Sequence, residues 1–202
     1  MTGGEPLKSG VTVWLTGLPS AGKTTIARRC AEALYSAGRR VQVLDGDDLR
    51  ATLCADLGFS RADRDANVRR TGFVAQLLAR HGVVVLVAVI APYRESRAAV
   101  RAHHERCGTR YLEVHVDTPL DVCARRDVKG LYARQRAGTL RGLTGVDDPY
   151  ETPVHPDLVV STDRPVGVAA ASVLAAIHGP GRPGPVVASE RQRKSPPRVT
   201  AP

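Results

Sequence analysis

Hydrophobic and polar positions follow two rhythms along this chain. β-Branched and apolar residues bunch into short runs at 11–15, 40–44, 83–90, 111–116 and 158–160. Runs of this length read as strands. The run at 83–90 is nearly unbroken, as expected of a strand covered on both faces. Between the runs, apolar positions recur at helical spacing. Helices are expected over 25–37, 64–81, 95–106, 119–126 and 166–177. In the second, Val68, Phe73, Val74, Leu77 and Leu78 form the expected apolar face. Thr118 is the expected N-cap of the helix at 119–126. The alternation predicts a parallel sheet with helices on both faces and ligands at the carboxyl ends of its strands. The stretch 129–156 breaks the alternation. It is rich in Arg, Gly, Asp and Pro and has little periodicity. A long irregular segment in a compact domain is usually functional, and this one reads as a mobile lid.

One turn carries a specific chemistry. Gly17-Leu18-Pro19-Ser20-Ala21-Gly22-Lys23-Thr24 matches G-x-x-x-x-G-K-[ST], the phosphate-binding P-loop. The strand expected at 11–15 precedes it and the helix expected at 25–37 follows, which is the context the motif requires. Glycines let backbone N–H groups turn toward phosphate oxygens, and the helix N-terminus adds a favourable dipole. Lys23 is expected to reach the β- and γ-phosphates, and the Thr24 hydroxyl to ligate Mg²⁺. The fold class that follows is an α/β, three-layer P-loop NTPase/kinase fold with a parallel central sheet, helices on both faces and a mobile lid.

Composition narrows the setting. The 202 residues fit one domain, here placed over 11–178 between a flexible 1–10 and a tail over 179–202. No apolar run is long enough to span a bilayer, and the N-terminus lacks the pattern of a secretory signal. Cys30, Cys54, Cys107 and Cys123 are scattered without a C-x-x-C pair, so free thiols and a cytoplasmic protein are expected. The formal charge is +9. The tail holds five Lys/Arg against one Glu and contributes +4 of it. Its Pro-rich, aromatic-poor composition predicts disorder. Without interleaved aromatics or a recognisable module it does not argue for nucleic acid. A basic folded domain equally suits polyanionic small substrates.

The acids discriminate among P-loop proteins. The run at 83–90 passes straight into Ala91-Pro92 with no metal-organising Asp, and no Asn-Lys-x-Asp occurs. Both absences argue against a switch GTPase or a motor ATPase. The acids lie instead after the second strand, in Asp45-Gly46-Asp47-Asp48-Leu49-Arg50. Carboxylates at that strand end face the P-loop. One of them can hold the metal's water shell while another accepts a proton from a hydroxyl.

With those blocks the chain resembles the adenylyl-sulfate kinase family from about residue 11 to 177. The resemblance rests on the P-loop, on Asp45-Gly46-Asp47 with Arg50, and on Asp56-Leu57-Gly58-Phe59-Ser60. It continues through Asp63-Arg64-Asp65-Ala66-Asn67-Val68-Arg69-Arg70 and Ile90-Ala91-Pro92-Tyr93-Arg94. Val116-Asp117-Thr118-Pro119 and Arg126-Asp127-Val128-Lys129-Gly130-Leu131-Tyr132 follow. The last block is Leu143-Thr144-Gly145-Val146-Asp147-Asp148-Pro149-Tyr150-Glu151.

The resemblance implies transfer of the ATP γ-phosphate to the 3′-hydroxyl of adenosine 5′-phosphosulfate (APS). It implies that Gly17 to Thr25 and Arg126 bind ATP and that Thr24 and Asp45 attend Mg²⁺. Phe59 and Leu143 would sandwich the acceptor's adenine. Arg50, Arg64 and Asn67 would hold phosphosulfate and ribose, with Asp47, Asp48 and Gly142 also on the acceptor. Backbone at Ile90 and Ala91 would contact the base, and Lys129 would approach the nucleotide phosphates. Asp47 is the favoured base, with Asp45 the alternative. The chain departs from the family at Asp48, usually Asn, at Ala91, often Ser, and at Leu143, often Phe. Alanine cannot carry a phosphate, so a phosphoserine route is closed at 91. Two other readings fit the residues: a kinase of another nucleotide or small hydroxyl compound, and a non-catalytic nucleotide sensor. A homodimer is carried as an expectation.

Overall fold

The computed structural model describes residues 10–163 and 165–179. The expected flexible 1–10, apart from Gly10, and the expected disordered tail beyond 179 lie outside the described residues. Five strands form one parallel sheet: β1 (Val11–Thr16), β2 (Val41–Asp45), β3 (Val84–Ala88), β4 (Arg110–Asp117) and β5 (Leu158–Ser161). Their spatial order is β2-β3-β1-β4-β5. Alternation along each strand divides the core in two. Val11, Val13 and Leu15 of β1 and Val84, Leu86 and Ala88 of β3 face one layer. There they meet α1 (Lys23–Ser36) and α7 (Val166–His178) through Ile26, Ala27, Cys30, Ala170 and Val173. Trp14, Val85 and Val87 face the other layer, with Val68 and Ala75 of α3 (Arg61–Arg80) and Val100 of α4 (Arg94–Arg106). Burying each Val, Leu or Ile among them contributes about 1.5–3 kcal/mol.

Strand order explains where a ligand can sit. The loop leaving β1 turns toward α1 and the loop leaving β3 turns toward α4, on opposite faces. That divergence opens a crevice at the carboxyl ends of β1 and β3, the general ligand position of open parallel sheets.

Several expected boundaries move, for physical reasons. α3 begins at Arg61 rather than 64, because Ser60 and Asp63 form a capping box there. Its inward face also differs. Val68 is buried, but Phe73 and Leu77 are 57% and 39% exposed, while Thr71, Gly72 and Gln76 point inward. Gly72 lies against Val100, so close packing of α4 selects the small residue for that face. Pro119, not Thr118, caps α5 (Leu120–Arg126), and the Thr118 hydroxyl donates instead to the Ala21 carbonyl of the P-loop at 2.9 Å. Two short helices were not expected: α2 (Gly46–Ala51), and α6 (Leu131–Arg136) inside the segment 129–156. Among the described residues no helix is long and apolar enough to cross a membrane.

Candidate active site

The P-loop closes the gap between β1 and α1. Gly22 caps α1 at φ 100°, a conformation that suits glycine, and Ser20 adopts φ 61° without being one. Backbone strain of this kind collects at functional turns. Lys23 lies beneath the loop and its ammonium donates to the carbonyls of Gly17 at 2.9 Å and Leu18 at 2.7 Å. Burial lowers the ammonium to about 8, against the opposing pull of Asp45 and Asp47. Thr25 is exposed on the first turn of α1.

The acids after β2 take two different positions. Asp45 is buried at the N-cap of α2. One of its oxygens accepts the Thr24 hydroxyl at 2.7 Å, and the other accepts the Asp47 N–H at 2.9 Å. Thr24 and Asp45 therefore meet beside the P-loop. Asp47 is exposed, and its carboxylate contacts the Lys129 ammonium. Asp48 is exposed beside it.

The expected acceptor residues gather next to these acids. Phe59 is 68% exposed, and the Arg50 guanidinium stacks over its ring at 4.6 Å from the centroid. Arg50 also donates to the carbonyls of Leu57 and Gly58 at 3.3 and 2.5 Å. Arg64, expected to hold phosphosulfate and ribose, is bonded within the protein. It is buried and donates to the Phe59 carbonyl, the Thr144 hydroxyl, the Gly142 carbonyl and the Asp148 carboxylate, all within 3.0 Å. Four of its five N–H groups are thus engaged, and its main work is to clasp the 142–148 turn to α3. Leu143 departs as well. It is nearly fully buried in the core, because an apolar side chain on an irregular segment folds inward rather than facing solvent. Asn67 keeps a group in reserve: it is 8% exposed, and its Nδ2 has no partner among the described residues. A buried, unpaired amide is costly and usually points to a ligand or water.

The segment 129–156 touches the P-loop directly. The Tyr132 hydroxyl donates to the Pro19 carbonyl at 3.1 Å. Gly145 lies against Leu18, and its φ of 89° favours glycine there. Arg126 lies beside Gly22 and donates to the hydroxyl and carbonyl of Thr162 at 2.9 and 2.8 Å. The carbonyls of Ile90 and Ala91, on the loop after β3, accept bonds from Thr16 and Arg97.

Comparison with known proteins gives this arrangement its family. The profile of the family described as adenylylsulphate kinase matches residues 9–161. The chain belongs to the adenylylsulphate kinase family. It is 56% identical over 155 residues to the adenylyl-sulfate kinase of Synechococcus sp. (strain JA-3-3Ab), covering 77% of this chain and 86% of that one. It is also 56% identical over 156 residues to the adenylyl-sulfate kinase of Chloroflexus aurantiacus (strain ATCC 29364 / DSM 637 / Y-400-fl), covering 77% and 82%. Among solved structures it resembles the Mycobacterium tuberculosis APS kinase CysC in complex with AMPPNP and APS. There the TM-score is 0.83 with 47% identity, over 85% of this chain and 99% of that one.

Within this family frame the structure adds contacts that the sequence did not show. Thr162 holds Arg126, and Thr118 holds the P-loop through Ala21. Asp127 caps α6 by accepting the N–H groups of Tyr132 and Ala133 at 3.0 and 2.8 Å. Asp127 and Tyr132 stand in the blocks that carry the resemblance, so a signal existed. Thr162 lies in no block and had none.

Proposed function

We propose that this protein is an adenylyl-sulfate kinase, transferring the γ-phosphate of ATP to the 3′-hydroxyl of APS. The observation that carries the reading is the exposed Phe59 ring under the Arg50 guanidinium, beside a P-loop and two differently placed carboxylates. An aromatic face with an adjacent guanidinium suits a planar base attached to an anion.

The oxygen donors fit a hard divalent cation. Thr24 and Asp45 bring a hydroxyl and a carboxylate together, and among the described residues no cluster of three or more His, Cys, Asp or Glu could hold a metal unaided. Such a site suits Mg²⁺, which takes its remaining ligands from phosphate oxygens and water. When bound, Mg²⁺ neutralises charge on the β- and γ-phosphate oxygens. Lys23 places its charge under the same phosphates. Asp47, open to solvent, takes the proton of the acceptor 3′-hydroxyl as its oxygen bonds to the γ-phosphorus. The bond to the β-phosphate oxygen breaks and ADP leaves. Asn67 Nδ2 is free to bond the acceptor, and Arg64 supports Phe59 from behind. The segment 129–156 acts as a lid that carries Lys129 between Asp47 and the phosphates. Four free cysteines suit a cytoplasmic setting. A homodimer belongs to the same reading, favoured by exposed Phe73 and Leu77 one turn apart on α3.

The test is steady-state kinetics over a panel of acceptors: APS, adenosine, AMP and simple sugars. Wild type should prefer APS. Phe59→Ala should raise the KM for APS about tenfold and leave that for ATP within about twofold, since stacking and apolar contact are lost on one substrate only. A wild type that ignores APS yet phosphorylates a sugar would overturn the substrate, and one that turns over no acceptor would favour the sensor.

Lys23 adds a pH signature. Its ammonium is lowered to about 8 by burial in the protein alone, and contact with phosphate favours its charged form. The complex therefore binds more protons than the free protein above that pH. Nucleotide binding at pH near about 8.5 should take up a proton, and affinity should fall as pH rises further. Calorimetry in two buffers of different ionisation enthalpy reads the uptake. The same uptake in Lys23→Met would assign the proton elsewhere.

A further inference from the structure

Three consecutive carbonyls on the loop after β3 are tied to one dipeptide at the far end of the segment 129–156, that of Pro92 directly and those of Ile90 and Ala91 through the side chains of Thr16 and Arg97. The Ile90 carbonyl accepts the Thr16 hydroxyl at 2.5 Å. That hydroxyl has one proton, so the Tyr150 hydroxyl, 3.0 Å away, must donate to the Thr16 oxygen. The Ala91 carbonyl accepts Arg97 Nη1 at 2.7 Å, and the Glu151 carbonyl accepts Nη2 of the same guanidinium at 2.6 Å. The Pro92 carbonyl accepts the Glu151 N–H at 2.9 Å. The Glu151 carboxylate returns to accept the Arg94 N–H at 2.7 Å, at the start of α4, where no local side chain caps the helix.

Arg97 is the centre of this arrangement. It is 2% exposed, and its Nε donates to Glu113 on β4 at 2.8 Å, which balances its charge out of water. A guanidinium presents its N–H groups in a planar fork, so it holds two carbonyls and a carboxylate at fixed mutual angles. One of those carbonyls belongs to Ala91, whose φ of 44° is uncommon for a residue with a Cβ. A conformation of that kind persists where its surroundings over-determine it. Among the described residues the Arg97 guanidinium bonds neither the P-loop nor the acids after β2: its partners are Glu113, Ala91, Glu151 and the ring of Tyr150, whose centroid is 5.9 Å from the guanidinium carbon.

We propose that Arg97 is a positioning residue for the acceptor. It joins the loop 90–93 to Tyr150-Glu151, so that the acceptor-side loop and the root of the lid move as one body. The inference rests on the acceptor site described above, with Ile90 and Ala91 beside the acceptor. It assigns the work of shaping that site to a buried ion pair on α4 and β4, which no reading of the sequence had marked.

Arg97→Lys keeps the charge opposite Glu113 but lacks the fork. It should raise the KM for the acceptor about tenfold, the size expected for losing one well-placed bond network. The KM for ATP should stay within about twofold. Amide hydrogen exchange should quicken together at Glu151 and Arg94, the two N–H groups that lock the dipeptide to the loop. Tyr150→Phe, which removes a single hydroxyl and leaves the buried ion pair intact, should raise the acceptor KM in the same direction by a smaller factor. It decides the matter if Arg97→Lys fails to fold. Wild-type turnover with APS reads the proposed reaction separately, and the variant-to-wild-type ratio is taken with whichever acceptor the wild type uses. Equal rises in both KM values, or unchanged acceptor KM in the folded variants, would overturn the proposal.

Discussion

Lys23→Ala is expected to lower phosphate transfer by roughly 10²–10³-fold or more, the loss seen when one preorganised charge-stabilising donor is removed from a transition state. The fold should survive. Lys23 is buried, and its ammonium is held against its preference for water. Removing it deprives the Gly17 and Leu18 carbonyls of a donor, but it also ends the cost of burying the charge. The two effects oppose one another, so the melting temperature should move by only a few degrees, on the order of 1 kcal/mol. Lys23→Met, which keeps most of the apolar stem, should melt still closer to wild type and be equally inactive. Turnover within about fivefold of wild type in either variant would remove the P-loop lysine from the mechanism.

Much of this site is legible from the chain because its geometry is local. The P-loop is a contiguous motif between a period-two strand and a period-3.6 helix, and Asp45 and Asp47 stand at the end of the next strand. Those rhythms are imposed by backbone geometry and survive any change of neighbours. What was not legible depends on elements distant in sequence. Phe73 and Leu77 fit the apolar face of an isolated helix, yet Thr71 and Gln76 face inward, because Val100 of α4 approaches at Gly72. α6 spans six residues, too few for a period to declare itself. The resemblance gives Arg64 to the phosphosulfate and ribose of the acceptor, and nothing nearby in the chain marks it as a structural tie. Only the folded position of Thr144 and Asp148, 80 and 84 residues away, turns it into a clasp. The same holds for Arg97, whose partners Glu113 and Glu151 are 16 and 54 residues off.

The two carboxylates after β2 should separate cleanly under substitution. Asp45 accepts two hydrogen bonds, one on each oxygen, from Thr24 and from the Asp47 N–H. An asparagine there has a single acceptor oxygen, so one of those donors would face an NH₂ group. Asp45→Asn should therefore weaken the N-cap of α2, costing about 0.5–2 kcal/mol of stability. It should also disturb Thr24 and raise the KM for ATP. Asp47 stands in solvent, and its contact with Lys129 is an exposed ion pair of small energetic consequence. Asp47→Asn should melt like wild type and bind ATP normally. If Asp47 takes the proton of the attacking hydroxyl, its kcat should fall by roughly 10²–10⁴-fold, the range for loss of a positioned general base. The measurement is kcat, both KM values and thermal melting for each variant. The reverse pattern, with Asp47→Asn active and Asp45→Asn folded, saturable with ATP and inactive, would make Asp45 the base. That expectation rests on bonding and exposure: the carboxylate already bonded on both oxygens is the one expected to hold the nucleotide side of the site, and the open one is expected to take the proton.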